Sequence, residues 1–325
     1  MERRRFVGAV AGGLILGPSV AGAQPTGKTH RVGFLLGATA ESVTSLYDSL
    51  NEGLRDRGYV QGRNLILEAR YGGGRMERLP DLAAELVRLR VEVIVTGTRI
   101  HVAAVRSVTK TVPTVMVFTS DPVAAGFVES LAHPGGNVTG LSADASPELW
   151  TKYLALLREA APRLSRVGAL GQLAAKTGFA ELDVASRQLG IALEIADLKA
   201  PEDLDGAFAA MASKRVGGVV VIVGPLTYQL RKPIGDLALK YRLPTICTLS
   251  EYAHAGALLT YGPNLNDLYV RAASYVDKIL RGEKPQDLPV EQPSRFELTV
   301  NMQTARALGV SMPHSLELLA AEVID

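Results

Sequence analysis

The chain alternates between two kinds of segment from Arg31 to Thr260. Short apolar runs, such as residues 31–36 (RVGFLL), contain no alternating polar positions. Between them lie longer segments, such as residues 41–57, in which apolar residues recur every three or four positions. The first pattern is typical of strands in a parallel sheet covered on both faces, and the second of the helices that cover it. The alternation therefore predicts an α/β fold.

The periodic pattern is absent at residues 142–147, after a glycine-rich turn at residues 134–136 and a fifth short strand at residues 137–141. A second series of strands and helices then begins. Two series of similar length predict two doubly wound three-layer lobes rather than one long sheet. In this prediction residues 31–142 plus 263–288 form lobe one, and residues 143–262 plus 289–325 form lobe two. The chain would cross between the lobes three times and join them by a three-strand hinge.

The amino terminus has the composition of an export signal. Arginines at residues 3–5 precede an apolar, glycine-rich run at residues 6–20, and the small residues 21–23 fit a cleavage site. The pattern predicts a signal peptide at residues 1–23 and a periplasmic protein that is soluble after cleavage. The apolar run is shorter than the roughly 20 residues of a membrane span. The twin-arginine and Sec export routes both fit this leader.

Charge and composition argue against several classes of function. Lysine and arginine number 35 against 33 aspartate and glutamate residues, so no electrostatic argument favours nucleic acid as a partner. Cys247 is the only cysteine, which excludes an internal disulfide and a cysteine metal cluster. The chain contains neither a nucleophile elbow nor a phosphate-binding or dinucleotide-binding fingerprint. We therefore expect no cofactor, no metal and no catalysis, but a monomeric binding protein.

Residues 113–142 contain the strongest candidate for a site. The apolar run 115–118 reads as a buried strand and is followed directly by Thr119, Ser120 and Asp121. Ligands of open α/β sheets bind at the carboxyl ends of the strands, so these polar side chains stand where binding is expected. Asp121 precedes a proline and fits two roles: the cap of a short helix that begins there, or an acceptor for a ligand ammonium group.

Other strand ends of lobe one also carry candidate ligand contacts. Gly37 and Thr39 follow the first predicted strand, and Thr98 precedes a helix predicted at residues 99–108. Thr98 fits both a helix N-cap and a ligand contact, and the two roles are compatible. Free N–H groups and partial positive charge at helix N-termini suit a carboxylate or a phosphate. Ser142, just past the fifth strand, fits a hinge residue and a ligand donor equally.

Lobe two offers candidates at equivalent strand ends. Gly224, Pro225 and Thr248 follow predicted strands, and Glu251 lies in the loop that comes next. Glu251 fits either a solvated loop residue or a second acid that meets an amine. Tyr261 lies at the second predicted crossover, where its ring would stack on an apolar ligand or pack in the core.

Several segments resemble one protein family. The matching segments are the arginine leader, residues 54–64 (LRDRGYVQGRN), 121–141 (DPVAAGFVESLAHPGGNVTGL), 279–293 (ILRGEKPQDLPVEQP) and 296–313 (FELTVNMQTARALGVSMP). They resemble the ABC transporter substrate-binding protein family, which includes tryptophan- and tyrosine-type binding proteins and has the type I periplasmic binding fold. The resemblance implies capture of a small solute, an amino acid or related organic molecule, and its delivery to an ABC permease in the inner membrane as the lobes close.

The resemblance also implies which residues line the cleft. These are Thr98, Ser120, Asp121 and Ser142 from lobe one, with Gly224, Pro225, Thr248 and Tyr261 from lobe two. The sequence departs from the family at His101, where many relatives have a small residue. An amino-acid ligand would meet Asp121 or Glu251 with its ammonium group. Two alternatives stay open, a ligand-sensing subunit of a signalling system and an exported enzyme that uses Asp121 or Glu251 as acid or base.

Overall fold

The computed structural model describes residues 28–143, 148–173 and 178–325. The predicted signal peptide, residues 1–23, lies outside the described residues. In the part of the chain that is described, no helix is both long enough and apolar enough to cross a membrane. The described chain forms two largely parallel sheets flanked by helices, which confirms the predicted α/β fold with two lobes.

The first half of the chain alternates strands and helices as predicted. In chain order these are β1 (His30–Leu36), α1 (Thr44–Arg55), β2 (Leu65–Tyr71), α2 (Leu79–Arg88), β3 (Val93–Thr96), α3 (Arg99–Val108), β4 (Thr114–Thr119) and β5 (Val138–Ser142). The strands pair in parallel in the order β2-β1-β3-β4-β5. Strands β3, β4 and β5 are buried along their whole length, as expected for a sheet covered on both faces.

The second half of the chain builds a larger sheet. Its elements up to the next crossover are α4 (Glu148–Ala160), β6 (Arg166–Gly171), α5 (Phe179–Gln188), β7 (Ala192–Asp197), α6 (Asp203–Ser213), β8 (Val219–Val221), α7 (Pro225–Gln229), α8 (Arg231–Lys240), β9 (Thr245–Cys247), α9 (Ser250–His254) and β10 (Leu259–Gly262). The remaining elements are α10 (Leu265–Leu280), β11 (Glu297–Asn301), α11 (Met302–Leu308), α12 (His314–Leu319) and β12 (Glu322–Ile324).

The second sheet has the order β12-β11-β10-β9-β8-β6-β7. Strand β11 runs antiparallel to β10, and β12 runs parallel to β11. The last strands of the chain therefore extend this sheet at one edge. We refer to the first sheet with its helices as lobe one, and to the second sheet with its helices as lobe two.

Helix α10 returns the chain to lobe one, where it packs against α1. The backbones approach closely at Gly53, since a Cβ at that position would lie 2.6 Å from the carbonyl oxygen of Val270. Tyr59 Oη donates a hydrogen bond to Asp277 Oδ1 at 2.9 Å beside the same contact. A helix from late in the sequence thus completes the covering layer of the first sheet.

The chain passes between the two sheets after β5, between β10 and α10, and between α10 and β11. The last of these segments runs beside β5. Ser142 N donates a hydrogen bond to Glu291 O at 2.8 Å, and Glu291 N donates one to Gly140 O at 2.9 Å. Backbone hydrogen bonds therefore hold the first and last crossing segments together.

Some short elements differ from the prediction. The spacing of apolar residues predicts one helix at residues 226–241, but the structure interrupts it at Leu230 and forms α7 and α8. The residues after β9, expected as a loop, form α9, and the tail adds α12 and β12. Pro122 begins a turn rather than a helix, and Gly126 within it has a φ of 66°. Elements of six residues or fewer are too short to display a helical or strand period.

We expect Gly53→Ala to lower the free energy of unfolding by about 1–3 kcal/mol, because the added methyl group would clash with α10. Gly206→Ala is the matched control, since residue 206 also lies inside a helix, α6, and no atom lies within 4 Å of a Cβ there. The control should raise the free energy of unfolding by about 0.5–1 kcal/mol. Urea unfolding followed by circular dichroism measures both values, and equal stabilisation by the two substitutions would contradict the packing of α10 on α1.

Candidate functional site

A cavity of about 60 Å³ lies between the two lobes. Lobe one lines it with the ends of β1, β3 and β4 and with parts of three helical segments: Leu36, Gly37, Ala38, Val43, Leu46, Gly97, Thr98, His101, Val117, Phe118, Leu265 and Tyr269. Lobe two lines it with Val223, Gly224, Pro225, Tyr228 and Leu249. Carboxyl ends of strands from both sheets therefore border the same space, where α/β sheets bind their ligands.

The predicted ligand contacts divide into two groups. Those that line the cavity are Gly37, Thr98, Gly224 and Pro225. Each of them lies after the carboxyl end of a strand and no further along the chain than the first residue of the next helix. The predicted contacts that do not line it are Thr39, Ser120, Asp121, Ser142, Thr248, Glu251 and Tyr261. Ligand contact by this second group stays a prediction.

The backbone at the end of β4 has an unusual conformation. Phe118 and Asp121 have positive φ values of 59° and 43°, a region that non-glycine residues seldom occupy. Such conformations cluster at functional sites and persist where the surroundings enforce them. Thr119 Oγ1 donates a hydrogen bond to Gly97 O at 2.7 Å, which ties the end of β4 to the loop before α3. The strained segment is therefore held in place beside the cavity.

Asp121 is exposed within this segment. Its Oδ1 accepts a hydrogen bond from Ala124 N at 3.1 Å, so the carboxylate caps the turn after β4 although no helix begins there. Ser120 is half-buried and Ser142 is fully buried. The backbone bond from Ser142 to the last crossing segment is consistent with a hinge position. Of the two roles predicted for Asp121, capping is the one visible in the structure.

Thr248 and Tyr261 belong to an aromatic cluster in lobe two. Tyr153 Oη donates a hydrogen bond to Thr248 Oγ1 at 2.9 Å. The Tyr261 ring stacks on Phe296 with a centroid distance of 5.8 Å and meets Tyr153 edge to face at 6.5 Å. Packing in the lobe therefore accounts for the position of Tyr261.

A buried hydroxyl shapes the part of lobe two that borders the cavity. Thr227 Oγ1 accepts a hydrogen bond from Gly224 N at 2.8 Å and lies 2.9 Å from Ile222 O, to which it donates. Tyr252 Oη lies 3.2 Å from the same hydroxyl. These contacts fix the turn that presents Gly224 and Pro225 to the cavity.

Glu251 lies on α9 and is half-buried, with its Oε2 atom buried. Among the described residues, its Oε2 has no hydrogen-bond partner. Burial raises the pKa of the Glu251 carboxyl, and Arg231 and His254 oppose the rise. Burial, followed by the charge of Glu251, also raises the pKa of the cavity residue Tyr228. A carboxylate oxygen without a hydrogen-bond partner is costly to bury, and this one lies close to the cavity residue Tyr228.

Arg231 joins the two lobes next to the cavity residue Tyr228, although it was not among the predicted site residues. Its guanidinium carbon lies 4.6 Å from the centroid of the Tyr228 ring. Nη1 donates a hydrogen bond to Tyr228 O at 2.8 Å, and Nη2 donates one to Ser42 O in lobe one at 3.3 Å. Ser42 Oγ donates to Thr39 O at 2.9 Å, so Thr39 lies in the turn that Arg231 reaches. No periodicity or motif in the sequence marks an arginine for this role.

His101 is a second wall residue that was not predicted as a contact. Its Nε2 accepts a hydrogen bond from Gly37 N at 2.7 Å, and its Nδ1 lies 2.9 Å from Thr98 Oγ1. Thr98 makes no side-chain hydrogen bond to the backbone of α3, so the predicted N-cap bond is absent and the hydroxyl meets His101 instead. Burial lowers the pKa of His101 to about 4, which keeps the ring neutral at pH 7. The sequence analysis singled out His101 only through its comparison with the resembling family.

Solved structures share the fold of this chain. A conserved domain protein from Vibrio cholerae O1 has a TM-score of 0.85 at 26% identity, covering 91% of this chain and 100% of that one. An ABC domain in complex with L-Trp from Streptococcus pneumoniae has a TM-score of 0.84 at 23% identity, with coverage of 91% and 100%. A ligand-free, open structure of a substrate-binding protein with adhesive properties from Clostridium difficile has a TM-score of 0.67 at 22% identity, with coverage of 91% and 99%.

Sequence comparison agrees with the structural likeness. A tyrosine-binding protein of Clostridioides difficile (strain R20291) is 24% identical to the chain over 260 residues, which is 79% of this chain and 74% of the relative. The model of the ABC transporter substrate binding protein family matches residues 35–324. Because that match spans most of the chain, the protein belongs to the ABC transporter substrate binding protein family, as the resemblance of its sequence segments predicted.

Proposed function

We propose that the protein is the solute-binding component of an ABC importer and that it captures an amino acid, preferably an aromatic one, by closure of the two lobes. Residues 1–23 would direct export to the periplasm, where the protein delivers its ligand to an ABC permease in the inner membrane. The observation that carries the proposal is the cavity whose walls come from the carboxyl edges of both sheets. A ligand held by both walls favours the closed arrangement over the open one.

Contacts across the cavity support lobe closure. Arg231 of lobe two reaches the Ser42 carbonyl of lobe one, and a Cβ at Gly74 of lobe one would lie 2.3 Å from Gln229 Oε1 of lobe two. The TM-score is 0.84 against the L-Trp complex and 0.67 against the ligand-free open structure, although the identities of 23% and 22% are nearly equal. A difference in lobe arrangement would account for that gap.

The position of the cavity supports the same motion. Its walls come from both lobes, and the contact of Arg231 with the Ser42 carbonyl joins the lobes beside it. A solute of amino-acid size therefore enters by separation of the lobes, and closure then surrounds it.

The lining of the cavity favours a ligand with an apolar part. Leu46, Val117 and Phe118 of lobe one line it together with Tyr228 and Leu249 of lobe two. Sites of this kind bury the apolar part of the ligand and use a few polar groups to orient it. The tyrosine-binding relative and the L-Trp complex make an aromatic amino acid the first candidate.

The charges of an amino-acid ligand suggest its orientation. We propose that its carboxylate lies at Thr98, where the amino end of α3 favours an anion. Its ammonium group then meets Glu251, whose buried Oε2 has no hydrogen-bond partner in the described chain. Asp121 fits this second role less well, because it is exposed and caps a turn.

Mass spectrometry of the freshly purified protein should detect a co-purified small molecule, and L-tryptophan or L-tyrosine should raise the melting temperature. A ligand at one hundred times its Kd stabilises the folded state by about 2.7 kcal/mol. Glycine and indole are the controls, since each lacks part of the proposed ligand. Absence of a thermal shift with every common amino acid would contradict the proposed ligand class, and turnover of an added solute would indicate an exported enzyme.

Arg231→Ala should weaken ligand binding about three- to tenfold, because one hydrogen bond to the opposite lobe contributes roughly 0.5–1.5 kcal/mol. Lys232→Ala is the matched control: Lys232 is exposed, and its ion pair with Asp236 lies within lobe two. Calorimetry measures the affinities, and small-angle scattering measures compaction on addition of ligand. Unchanged affinity and compaction in the Arg231 variant would contradict a role of this contact in lobe closure.

Glu251→Gln should lower the affinity for an amino acid at least about tenfold, since loss of one partner from a buried charge pair costs roughly 2–5 kcal/mol. Asp121→Asn should leave the affinity within about twofold, because most surface substitutions have small effects. Calorimetric titration of both variants tests this. If Asp121→Asn lowers the affinity and Glu251→Gln does not, the ligand ammonium group contacts Asp121 instead of Glu251. Two unchanged affinities would rule out both carboxylates as ammonium contacts.

A further inference from the structure

We propose that His101 is a positioning residue that holds the Thr98 hydroxyl as a hydrogen-bond donor toward the cavity. Lobe one would then select a ligand that offers an acceptor oxygen, such as a carboxylate, at this point and would reject an ammonium group there. The inference rests on the proposed function, because it concerns the ligand of the same cavity. It assigns a role to a buried side chain that lines the cavity.

The Gly37 contact determines which nitrogen of His101 carries the proton. A backbone N–H group is only a donor, so Nε2, which lies 2.7 Å from Gly37 N, must offer its lone pair. A neutral imidazole with an unprotonated Nε2 carries its hydrogen on Nδ1. The contact between Nδ1 and Thr98 Oγ1 at 2.9 Å is therefore donated by the ring. The ring therefore donates to Thr98, in the loop before α3, and accepts from Gly37, in the loop after β1.

This tautomer decides what Thr98 offers to a ligand. Its Oγ1 accepts the hydrogen bond from His101, so the hydroxyl hydrogen points elsewhere. Among the described residues, none accepts a hydrogen bond from Thr98 Oγ1 in return. Thr98 is half-buried and lines the cavity. An acceptor atom of a bound ligand would complete a chain in which Gly37 N, His101 Nδ1 and Thr98 Oγ1 each donate one hydrogen bond and the ligand accepts the last.

The space around the ring is shaped for it. A Cβ at Gly37 would lie 2.9 Å from Nε2 of His101, and a Cβ at Gly97 would lie 3.3 Å from Nδ1. Only 4% of His101 is exposed. A ring turned by 180° would present carbon atoms to Gly37 N and Thr98 Oγ1 and would lose both hydrogen bonds. The two glycines and the two polar contacts thus specify one ring orientation.

The tautomer can be measured without any ligand. Long-range ¹H–¹⁵N correlation spectra of the full chain distinguish a ring protonated at Nδ1 from one protonated at Nε2. The His101 signals are the set that disappears in His101→Gln, among the five histidines of the chain. We expect the Nδ1–H form at pH 7. An Nε2–H form or a doubly protonated ring would overturn the proposal.

Binding measurements test the consequence for the ligand. The probes are L-tryptophan with tryptamine and L-tyrosine with tyramine, because each amine lacks only the carboxylate of its partner. Thr98→Val should weaken binding of the amino acids about 10- to 100-fold, the range for a hydrogen bond to a charged group. Binding of the amines should be unaffected, and Thr98→Ser should retain the wild-type preference. Equal losses for acid and amine would contradict the selection of an acceptor.

Two variants of His101 separate its contacts. Asn keeps a donor near the position of Nδ1, and Gln keeps an acceptor near the position of Nε2. His101→Asn should therefore retain the preference for acid over amine, whereas His101→Gln should reduce it as Thr98→Val does. Circular dichroism unfolding excludes variants that fail to fold. If the wild-type protein binds none of the probes, the proposed ligand class fails, while the spectra still decide the tautomer.

Discussion

The packing of α10 against α1 is the contact on which the two-lobed architecture depends. Gly53 lets the backbone of α10 approach to a distance that a Cβ would forbid. Because α10 follows β10 of lobe two and precedes β11 of the same sheet, its return to lobe one makes the chain cross between the sheets on each side of it. Several connections constrain the lobes to hinge and keep the carboxyl edges of both sheets opposite each other.

Lobe one presents a wall in which neighbouring loops are hydrogen-bonded to one another. Thr96 Oγ1 donates a hydrogen bond to Leu35 O at 2.8 Å, and Thr119 Oγ1 donates one to Gly97 O at 2.7 Å. With the imidazole of His101, these hydroxyls tie the ends of β1, β3 and β4 to one another. Such bonds between neighbouring loops preorganise a site, because binding then orders few additional groups.

Lobe two has a different electrostatic character. It carries Glu251, whose buried Oε2 has no hydrogen-bond partner among the described residues, and Arg231, which donates hydrogen bonds to two backbone carbonyls. Burying a carboxylate oxygen without a hydrogen-bond partner costs free energy. A cationic group supplied by a ligand would relieve that cost, so binding energy and lobe closure would be coupled in this wall. Local conflicts of this kind are expected at functional sites.

The sequence by itself determined the fold class, most of the long elements and the ligand edge of each sheet. The periodicity predicts α3 with its observed bounds, and strand ends predict Gly37, Thr98, Gly224 and Pro225 as cavity residues. These features depend on local patterns, in which apolar spacing decides which face is buried.

Only the tertiary structure decided the hydrogen bonds of His101, the contact of Arg231 with Ser42 and the buried position of Glu251 Oε2. Gly37 and His101 are 64 residues apart, and Ser42 and Arg231 are 189 apart, so their pairing arises from the packing of distant segments, which no local period records.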